Sequence, residues 1–429
     1  MSSPADKAYG VGAALAIGLG SIIGGSVFAT TGQALQGAGG AAPLAYLFGA
    51  LPAYITAYSY IRMARAHPGS GGTMAYFNRG FGGGYLSAGL NLLLVVCYAG
   101  VAALYAGVFG TYAAELFHWH HDTAQRIMSC LGIAVFAIVN LSSNVLSSRI
   151  QPAMNACKFL VMSTFILVAL LSPLWDWGNF APSHRQPTGS VLITGLTIFM
   201  SYQGFELMAA IRHPFRTPTR TLPTAMILCL SIVTLYYCAV AFCTVGNVDY
   251  ATAGRESPYL LSAVAERIMG SFGHILLCLG AVIASASAMN ADIFSVSAIP
   301  EAMAEEREMP TFFLPSHAES RTQGIIFLSI LLILFVNLLS IQELTAISSL
   351  GFLSIYALAN AVSLRITPRT RASVILSTLG TLVCTAAAIA VAWQLFTSDH
   401  SILLIATTTG MLALPFIWQG AYYHLHRRR

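Results

Sequence analysis

Two short runs of glycine and hydroxyl residues interrupt apolar stretches of this 429-residue chain. Residues 18–28 read GLGSIIGGSVF, and residues 197–206 read TIFMSYQGFE. Each glycine weakens a helix interior by about 1 kcal/mol relative to alanine, so the glycine-rich first run in particular favours unwound backbone. Unwound backbone offers amide N–H groups to a carboxylate and carbonyl groups to an ammonium group. The two runs therefore indicate one binding site for a small zwitterion.

Eight residues of these runs are the predicted substrate-binding residues: Ile22, Gly24, Gly25, Ser26, Phe199, Ser201, Tyr202 and Gly204. Gly24, Gly25 and Ser26 would supply amides and a hydroxyl group. Ile22, Phe199 and Ser201 would supply carbonyl groups or line the site. Tyr202 is interpreted either as an aromatic lid or as ordinary packing. Close helix packing at Gly20 and Gly24 is the alternative for the first run, but a matching break in a second helix favours a binding site.

Three charged residues fall inside or beside apolar stretches. Of the two lysines, Lys7 and Lys158, the second lies in such a stretch. Charged groups inside a membrane are usually paired or functional, so Lys158 is a candidate proton-coupling group, with snorkelling to the interface as the alternative. Glu206 is either an anchor for unwound amides or a second coupling group. Asp292 is a further buried acid, and the sequence leaves its partner open.

The remaining chemical motifs are weaker. His118, His120 and His121 precede Asp122, and two spaced histidines with a carboxylate can bind Zn²⁺. We favour an exposed polar loop and expect neither a metal ion nor a cofactor. The sequence contains no GxxxxGK[ST] phosphate-binding motif, which argues against an ATP-driven pump. Without a nucleophile motif in a suitable context, the chain is not expected to be an enzyme.

The elements that must position these residues are membrane helices. The chain is 56% hydrophobic and 9% charged, whereas soluble domains average about 25% charged residues. The apolar runs are continuous rather than alternating, which argues against a strand barrel. Twelve segments meet or approach the length of about 20 residues that crosses a bilayer: 11–32, 43–60, 86–116, 127–141, 150–171, 191–211, 224–244, 274–298, 322–339, 344–364, 374–396 and 403–422. The polar stretches between them, at 62–84, 172–189, 247–255 and 301–321, are loop-sized, so one membrane domain over 1–429 is predicted.

The positive charges predict the orientation of the chain. With the N-terminus in the cytoplasm, 16 of the 21 Lys and Arg residues fall on the cytoplasmic side and 4 outside, with Lys158 between them. This bias follows the positive-inside rule and places both termini in the cytoplasm. The charge is thus a topology signal and not evidence for nucleic acid. The basic C-terminal end is expected to contact anionic membrane lipids.

Several motifs, in order, resemble those of a known family. Residues 22–28 read IIGGSVF, residues 68–76 read PGSGGTMAY, residues 204–206 read GFE, and residues 218–223 read PTRTLP. The chain resembles the amino acid–polyamine–organocation transporters, specifically bacterial or archaeal amino acid permeases. The resemblance covers about residues 11–310, with a consistent helix count beyond. Ser26 departs from the family pattern, in which a glycine stands at this position.

The resemblance implies an all-α membrane fold of about 12 transmembrane helices. Five helices (about 11–171) would be repeated with inverted topology by the next five (about 191–364), with broken helices 1 and 6 and two peripheral helices at about 374–424. It also implies that Lys158 lies where Na⁺ binds in sodium-coupled relatives. Its expected partners are the carbonyl groups near Gly20 and Ser21 and the hydroxyl groups of Ser285 or Ser287.

The sequence thus predicts secondary active transport of amino acids across the cytoplasmic (inner) membrane by alternating access. Coupling would be to protons or by exchange. Apolar side chains beside the breaks favour neutral substrates: Ile22, Cys97, Met200 and Met289. Transport of polyamines or other organocations remains an alternative. An ion channel is the rival from another class, but neither repeated filter segments nor rings of charge occur in the sequence.

Overall fold

The computed structural model describes residues 10–67, 72–119, 121–142, 144–210, 218–250, 253, 257–314, 321–397 and 402–426. Within these ranges the chain is helical and forms no β-strand. Gly39 and Arg185 make an isolated antiparallel bridge. The all-α prediction is therefore confirmed.

The described residues form 17 α-helices, numbered here in chain order. They are α1 (Val11–Ile22), α2 (Ser26–Ala38), α3 (Ala42–Ala66), α4 (Thr73–Phe81), α5 (Tyr85–Glu115), α6 (Asp122–Ser142), α7 (Asn144–Leu170), α8 (Thr188–Thr197), α9 (Pro218–Asn247), α10 (Leu260–Met269), α11 (Ser271–Val296), α12 (Ala298–Glu305), α13 (Thr322–Leu338), α14 (Ile341–Arg365), α15 (Thr367–Thr370), α16 (Val374–Thr397) and α17 (Ile402–His426). Six 3₁₀ segments join them: Trp177–Phe180, Pro182–His184, Phe199–Tyr202, Phe205–Ala210, Ser257–Tyr259 and Thr311–Phe313.

The helices account for the twelve predicted membrane segments in order. Nine described helices or helix pieces are long and apolar enough to cross a bilayer, and two bent pairs bring this number to 11. The twelfth segment is α13, an apolar helix of 17 residues. These lengths and compositions describe a multi-pass membrane protein.

Burial divides the spans into central and peripheral ones. In the most apolar window of α5, 83% of the residues are buried inside the protein, and in α14 the share is 78%. The corresponding shares are 22% for α6, 33% for α16 and 28% for α17. A membrane helix can be apolar on every side, because its outer surface contacts lipid. We therefore expect the exposed apolar side chains of the peripheral helices to contact lipid. The central helices α5 and α14 then form walls around the two broken helices.

One predicted loop has more structure than expected. Residues 62–84 are polar and rich in glycine, which predicts a loop, but they contain α4. This helix buries Tyr76 and Phe77 and leaves its other face more exposed. An amphipathic pattern of nine residues gives only a weak periodic signal. The neighbouring glycines, which favour a loop, outweighed that signal in the prediction. Residues 68–71, part of the family-like motif, lie outside the described residues.

Candidate functional site

The first break separates α1 from α2. Residues 23–25 are not helical, and the two helix segments are bent by 52°. A Cβ atom on Gly24 would lie 2.8 Å from Cβ of Ala288 in α11, and one on Gly25 would lie 2.9 Å from Cβ of Ser285. The glycines therefore allow α11 to pack directly against the break. Close packing and unwinding, the two alternatives for this run, occur together.

The amino end of α2 points into this break. No side chain caps it at Gly25, so its first-turn N–H groups are those that a helix leaves without an intrahelical acceptor. Ser26, the first residue of α2, lies with its Oγ 3.3 Å from the hydroxyl of Tyr237. Tyr237, in α9, donates a hydrogen bond of 3.1 Å to the carbonyl oxygen of Ile22. Tyr237 thus contacts both sides of the break. It is not predictable from the sequence, because α9 carries no motif at this position.

The second break follows α8 and is equally sharp. The segments Thr188–Thr197 and Phe199–Ala209 are bent by 53°. Gly204 has a φ of 114°, a conformation that favours glycine. A Cβ atom on Gly204 would lie 3.1 Å from the carbonyl oxygen of Ser21. The two breaks therefore touch each other inside the protein, as the paired runs predicted.

A serine of α14 caps the second break. The hydroxyl of Ser349 accepts a hydrogen bond of 2.9 Å from the backbone N–H of Met200 and donates one to the carbonyl oxygen of Thr197. It thereby satisfies a donor and an acceptor on the two sides of Ile198, where regular helix stops. Ser349 was not predicted, because its partner lies 149 residues away in the chain.

Glu206 is held by donors from three parts of the protein. Its carboxylate accepts from Tyr98 of α5 (2.8 Å), from Tyr356 of α14 (2.6 Å) and from the backbone N–H of Gly204 (2.9 Å). Only 2% of the residue is exposed. Buried carboxylates need such partners to offset desolvation. This geometry fits an anchor that caps an unwound amide, one of the two roles that the sequence left open.

The other predicted residues of the second run lie among hydroxyl groups. Ser201 is 3.1 Å from the hydroxyl of Thr30, which is also 2.8 Å from that of Tyr46. Tyr202 donates to the carbonyl oxygen of Tyr46 in α3, at 2.8 Å, so its ring is packed against that helix in this structure. Phe199 packs edge-on against Tyr356. All of these side chains are buried, so the region is closed to solvent.

Lys158 reaches the first broken helix from α7. Its Nζ donates a hydrogen bond of 3.0 Å to the carbonyl oxygen of Gly20, the partner that the resemblance implied. The side chain has no exposed surface, which is the opposite of snorkelling. The two serines face other groups: Ser285 bonds to the carbonyl oxygen of Ala281 in its own helix, and Ser287 receives a bond of 2.7 Å from Gln151.

Two further predicted groups have distinct environments. Asp292 of α11 is 7% exposed, and its Oδ2 has no hydrogen-bond partner among the described residues. His118 lies close to Glu115 and His274, and the described part of the chain does not group it with His121 and Asp122 around a common point. His120 lies outside the described residues.

Comparison with known proteins gives a consistent result. A family profile described as "Amino acid permease" matches residues 9–423. The inner membrane transport protein YbaT of Escherichia coli (strain K12) is 28% identical over 385 residues, which cover 88% of each chain. The large neutral amino acids transporter small subunit 2 of Oryctolagus cuniculus is 25% identical, with 81% of this chain and 67% of the relative covered. The cationic amino acid transporter 3, mitochondrial, of Arabidopsis thaliana is also 25% identical, with 82% and 61% covered.

Proposed function

Since the chain belongs to the amino acid permease family, a family of membrane transporters, we propose that it carries amino acids by alternating access. The resemblance inferred from the motifs is thereby confirmed. One observation carries the proposal: two broken helices meet at Gly204 and Ser21 in a buried region between central spans. Broken backbone inside a membrane is tolerated where it is buried or lines a cavity, and it is typical of transporter substrate sites.

The chemistry of the breaks supports a zwitterionic substrate. The uncapped amino end of α2 attracts a carboxylate through its N–H groups and its dipole. Ser26 adds a hydroxyl at this end, and the broken segment from Phe199 to Ser201 adds carbonyl groups for the ammonium. The substrate enters by displacing the hydroxyl contacts that now close the region, such as the one between Ser26 and Tyr237.

Proton coupling is proposed for Lys158. Its ammonium group holds α7 to α1 through the carbonyl oxygen of Gly20. The hydrogen bond to Gly20 is weaker when the amine of Lys158 is neutral than when it is charged, because charge-assisted hydrogen bonds are stronger. Gain or loss of a proton at Lys158 would therefore change how firmly the first half of the broken helix is held. Exchange of substrates without net proton movement is the alternative mode.

The topology of the proposed carrier follows from the same argument. We place the chain in the cytoplasmic membrane, with both termini in the cytoplasm and the basic end near anionic lipids. The spans before residue 171 would be related to those at about 191–364 by an inverted repeat, because both sets begin with a broken helix. Helices α16 and α17 would stand outside this repeat at the lipid boundary.

A second candidate substrate class is favoured by Asp292. Its buried Oδ2 lacks a hydrogen-bond partner in the described structure, and a buried carboxylate oxygen is a natural partner for an organic cation. Polyamines or cationic amino acids are therefore the alternative. The Arabidopsis relative is named as a transporter of cationic amino acids.

Uptake into proteoliposomes tests the proposal directly. Purified protein should give saturable uptake of a radiolabelled amino acid, with competition by a restricted set of amino acids. Ser26→Ala should raise KM, because it removes a hydroxyl at the end of α2. Ser21→Ala is the matched control, since that hydroxyl bonds back to Ile17 of its own helix. Uptake that never saturates, or that no amino acid or amine inhibits, would refute a carrier of this class.

A further inference from the structure

The carboxyl end of α5 and the amino end of α11 bring three metal-ligating side chains together. Glu115 is the last residue of α5, His118 lies in the turn after it, and His274 lies in the first turn of α11. One candidate ligand atom of each residue lies within 4.8 Å of the other two. None of the three takes part in the proposed transport site.

The two buried members already have the separation of metal ligands. Nε2 of His274 is 3.3 Å from Oε1 of Glu115. In a tetrahedral Zn²⁺ site, bonds of about 2.0–2.1 Å place two ligand atoms about 3.3 Å apart. His274 is 4% exposed and Glu115 is 6% exposed, so packing fixes both side chains. A simple ion pair has the same distance, and the third residue decides between the two interpretations.

The backbone at His118 is unusual in a way that an ion pair does not explain. The N–H of Trp119 bonds to the carbonyl oxygen of Ala114 (3.0 Å) and that of His118 to Glu115 (2.9 Å). This pattern is a Schellman ending, whose left-handed position is usually a glycine. His118 occupies that position with a φ of 54°. Backbone strain of this kind clusters at ligand sites, and here it turns an imidazole back over the end of α5.

The donor set selects a class of ion. Two imidazoles and one carboxylate suit late first-row transition metals such as Zn²⁺, whereas Mg²⁺ and Ca²⁺ prefer oxygen ligands. The thiol of Cys278 lies 3.7 Å from Nε2 of His274. Sulfur is a soft donor atom, which also favours a metal such as Zn²⁺ over Mg²⁺ or Ca²⁺. The His118 ring now stacks on that of His274 at 5.1 Å. Because His118 is exposed, its ring can turn to direct a nitrogen at the ion.

We propose that Glu115, His118 and His274 bind one transition-metal ion, best represented by Zn²⁺, on the face of the protein where α5 ends. The ion links α5 to α11, two helices that already pack against each other. It therefore stabilises the folded protein by binding the native arrangement. The proposal does not depend on which substrate is transported.

Zn²⁺ binding to protein without a polyhistidine tag tests the site. The measurements are competition with a chromogenic chelator, the Co²⁺ absorption spectrum and the melting temperature with and without Zn²⁺, with Mg²⁺ as the comparison ion. The decisive variant is His118→Gly, which removes a ligand and at the same time suits the left-handed backbone. His274→Gln removes the second imidazole with little change in volume. His121→Ala is the control, an exposed histidine nearby that lies outside the group.

The wild type and His121→Ala should bind one Zn²⁺ per chain and melt at a higher temperature with it, while Mg²⁺ has no effect. His118→Gly should fold at least as stably without metal, yet bind Zn²⁺ at least about tenfold more weakly, in line with the effect of losing even a supporting group. Equal binding by His118→Gly and the wild type, or no saturable binding by the wild type, would leave only a Glu115–His274 ion pair and overturn the proposal.

Discussion

At the scale of single residues, Glu206 lies at the centre of a hydrogen-bonded cluster in the proposed transport site. Four donors converge on its carboxylate: the hydroxyl groups of Tyr98 and Tyr356, the Gly204 amide and, at 3.4 Å, Nε2 of Gln203. These donors belong to α5, to α14 and to the break itself, so one side chain joins two walls to the unwound segment. The proposed role of Glu206 is therefore to hold the break in place.

Glu206→Gln should destabilise the protein more than Tyr98→Phe does. The amide has one acceptor oxygen in place of two and brings an N–H₂ group toward hydroxyl donors. Each buried group left without a partner costs about 1–3 kcal/mol, whereas Tyr98→Phe removes a single donor. Melting temperatures in detergent provide the comparison. A stable Glu206→Gln that has lost only its response to protons would instead assign Glu206 to coupling.

Lys158→Ala should abolish acid-stimulated accumulation and spare exchange of bound substrate. The reason is that Lys158 is the buried cation that holds the carbonyl oxygen of Gly20. Uptake with and without an inward proton gradient distinguishes the two activities. Thr164→Ala is the control on the same helix, because its hydroxyl donates a hydrogen bond to the carbonyl oxygen of Leu160 within α7. A wild type that ignores the gradient, or a mutant that still concentrates substrate with it, contradicts the proposed role.

The buried position of Lys158 is a residue-level feature that composition could predict, while its coupling role stays a prediction. The rarity of lysine pointed to Lys158, and the family resemblance supplied its partner at Gly20. The sequence could not show that Ser287 bonds to Gln151, because spacing along a helix does not determine which neighbour a side chain meets. The grouping of His118 with His274 was missed for the same reason, since 156 positions separate them.

At the scale of elements, the helix breaks were predictable and their supports were not. Glycine and hydroxyl runs located both breaks, now bent by 52° and 53°. The supports come from α9 and α14, at Tyr237 and Ser349. Neither residue stands in a motif. The sequence also cannot distinguish a hydroxyl group that caps a distant break from one that bonds within its own helical turn.

Ser349→Ala should lower stability by about 1–3 kcal/mol, the cost of leaving buried backbone groups unpaired. The groups concerned are the N–H of Met200 and the carbonyl oxygen of Thr197. Substrate affinity should fall as well, since the second break loses its support. Ser354→Ala is the matched control in α14, where the hydroxyl donates a hydrogen bond to the carbonyl oxygen of Leu350 in the same helix. Melting temperature and KM provide the two readouts, and equal effects of the two substitutions would remove Ser349 from the site.

At the scale of the whole molecule, apolar segments identify a membrane protein, and buried polar groups are proposed to determine which substrate it takes. Continuous apolar segments predicted the order of the membrane helices, of which 9 to 11 candidates occur among the described residues, since each must satisfy its own backbone inside the bilayer. The same signal cannot say which spans are central. That division, with α5 and α14 inside and α6, α16 and α17 outside, depends on contacts between helices that are all similarly apolar.

The charge of the preferred substrate depends on the whole set of buried groups around the two breaks. We expect neutral amino acids such as alanine, serine and leucine to outcompete arginine and putrescine in uptake. The side chains of Ile22, Met200 and Met289 beside the breaks are apolar and buried. A substrate with a second positive charge, besides its ammonium group, would need a carboxylate to offset the desolvation of that charge. Glu206 already has its donors, which leaves Asp292 as the alternative partner. Asp292→Asn therefore separates the two cases: it should leave neutral uptake and its competition profile largely unchanged. Preference of the wild type for arginine or putrescine, lost in Asp292→Asn, would contradict the prediction and make the protein a carrier of organic cations.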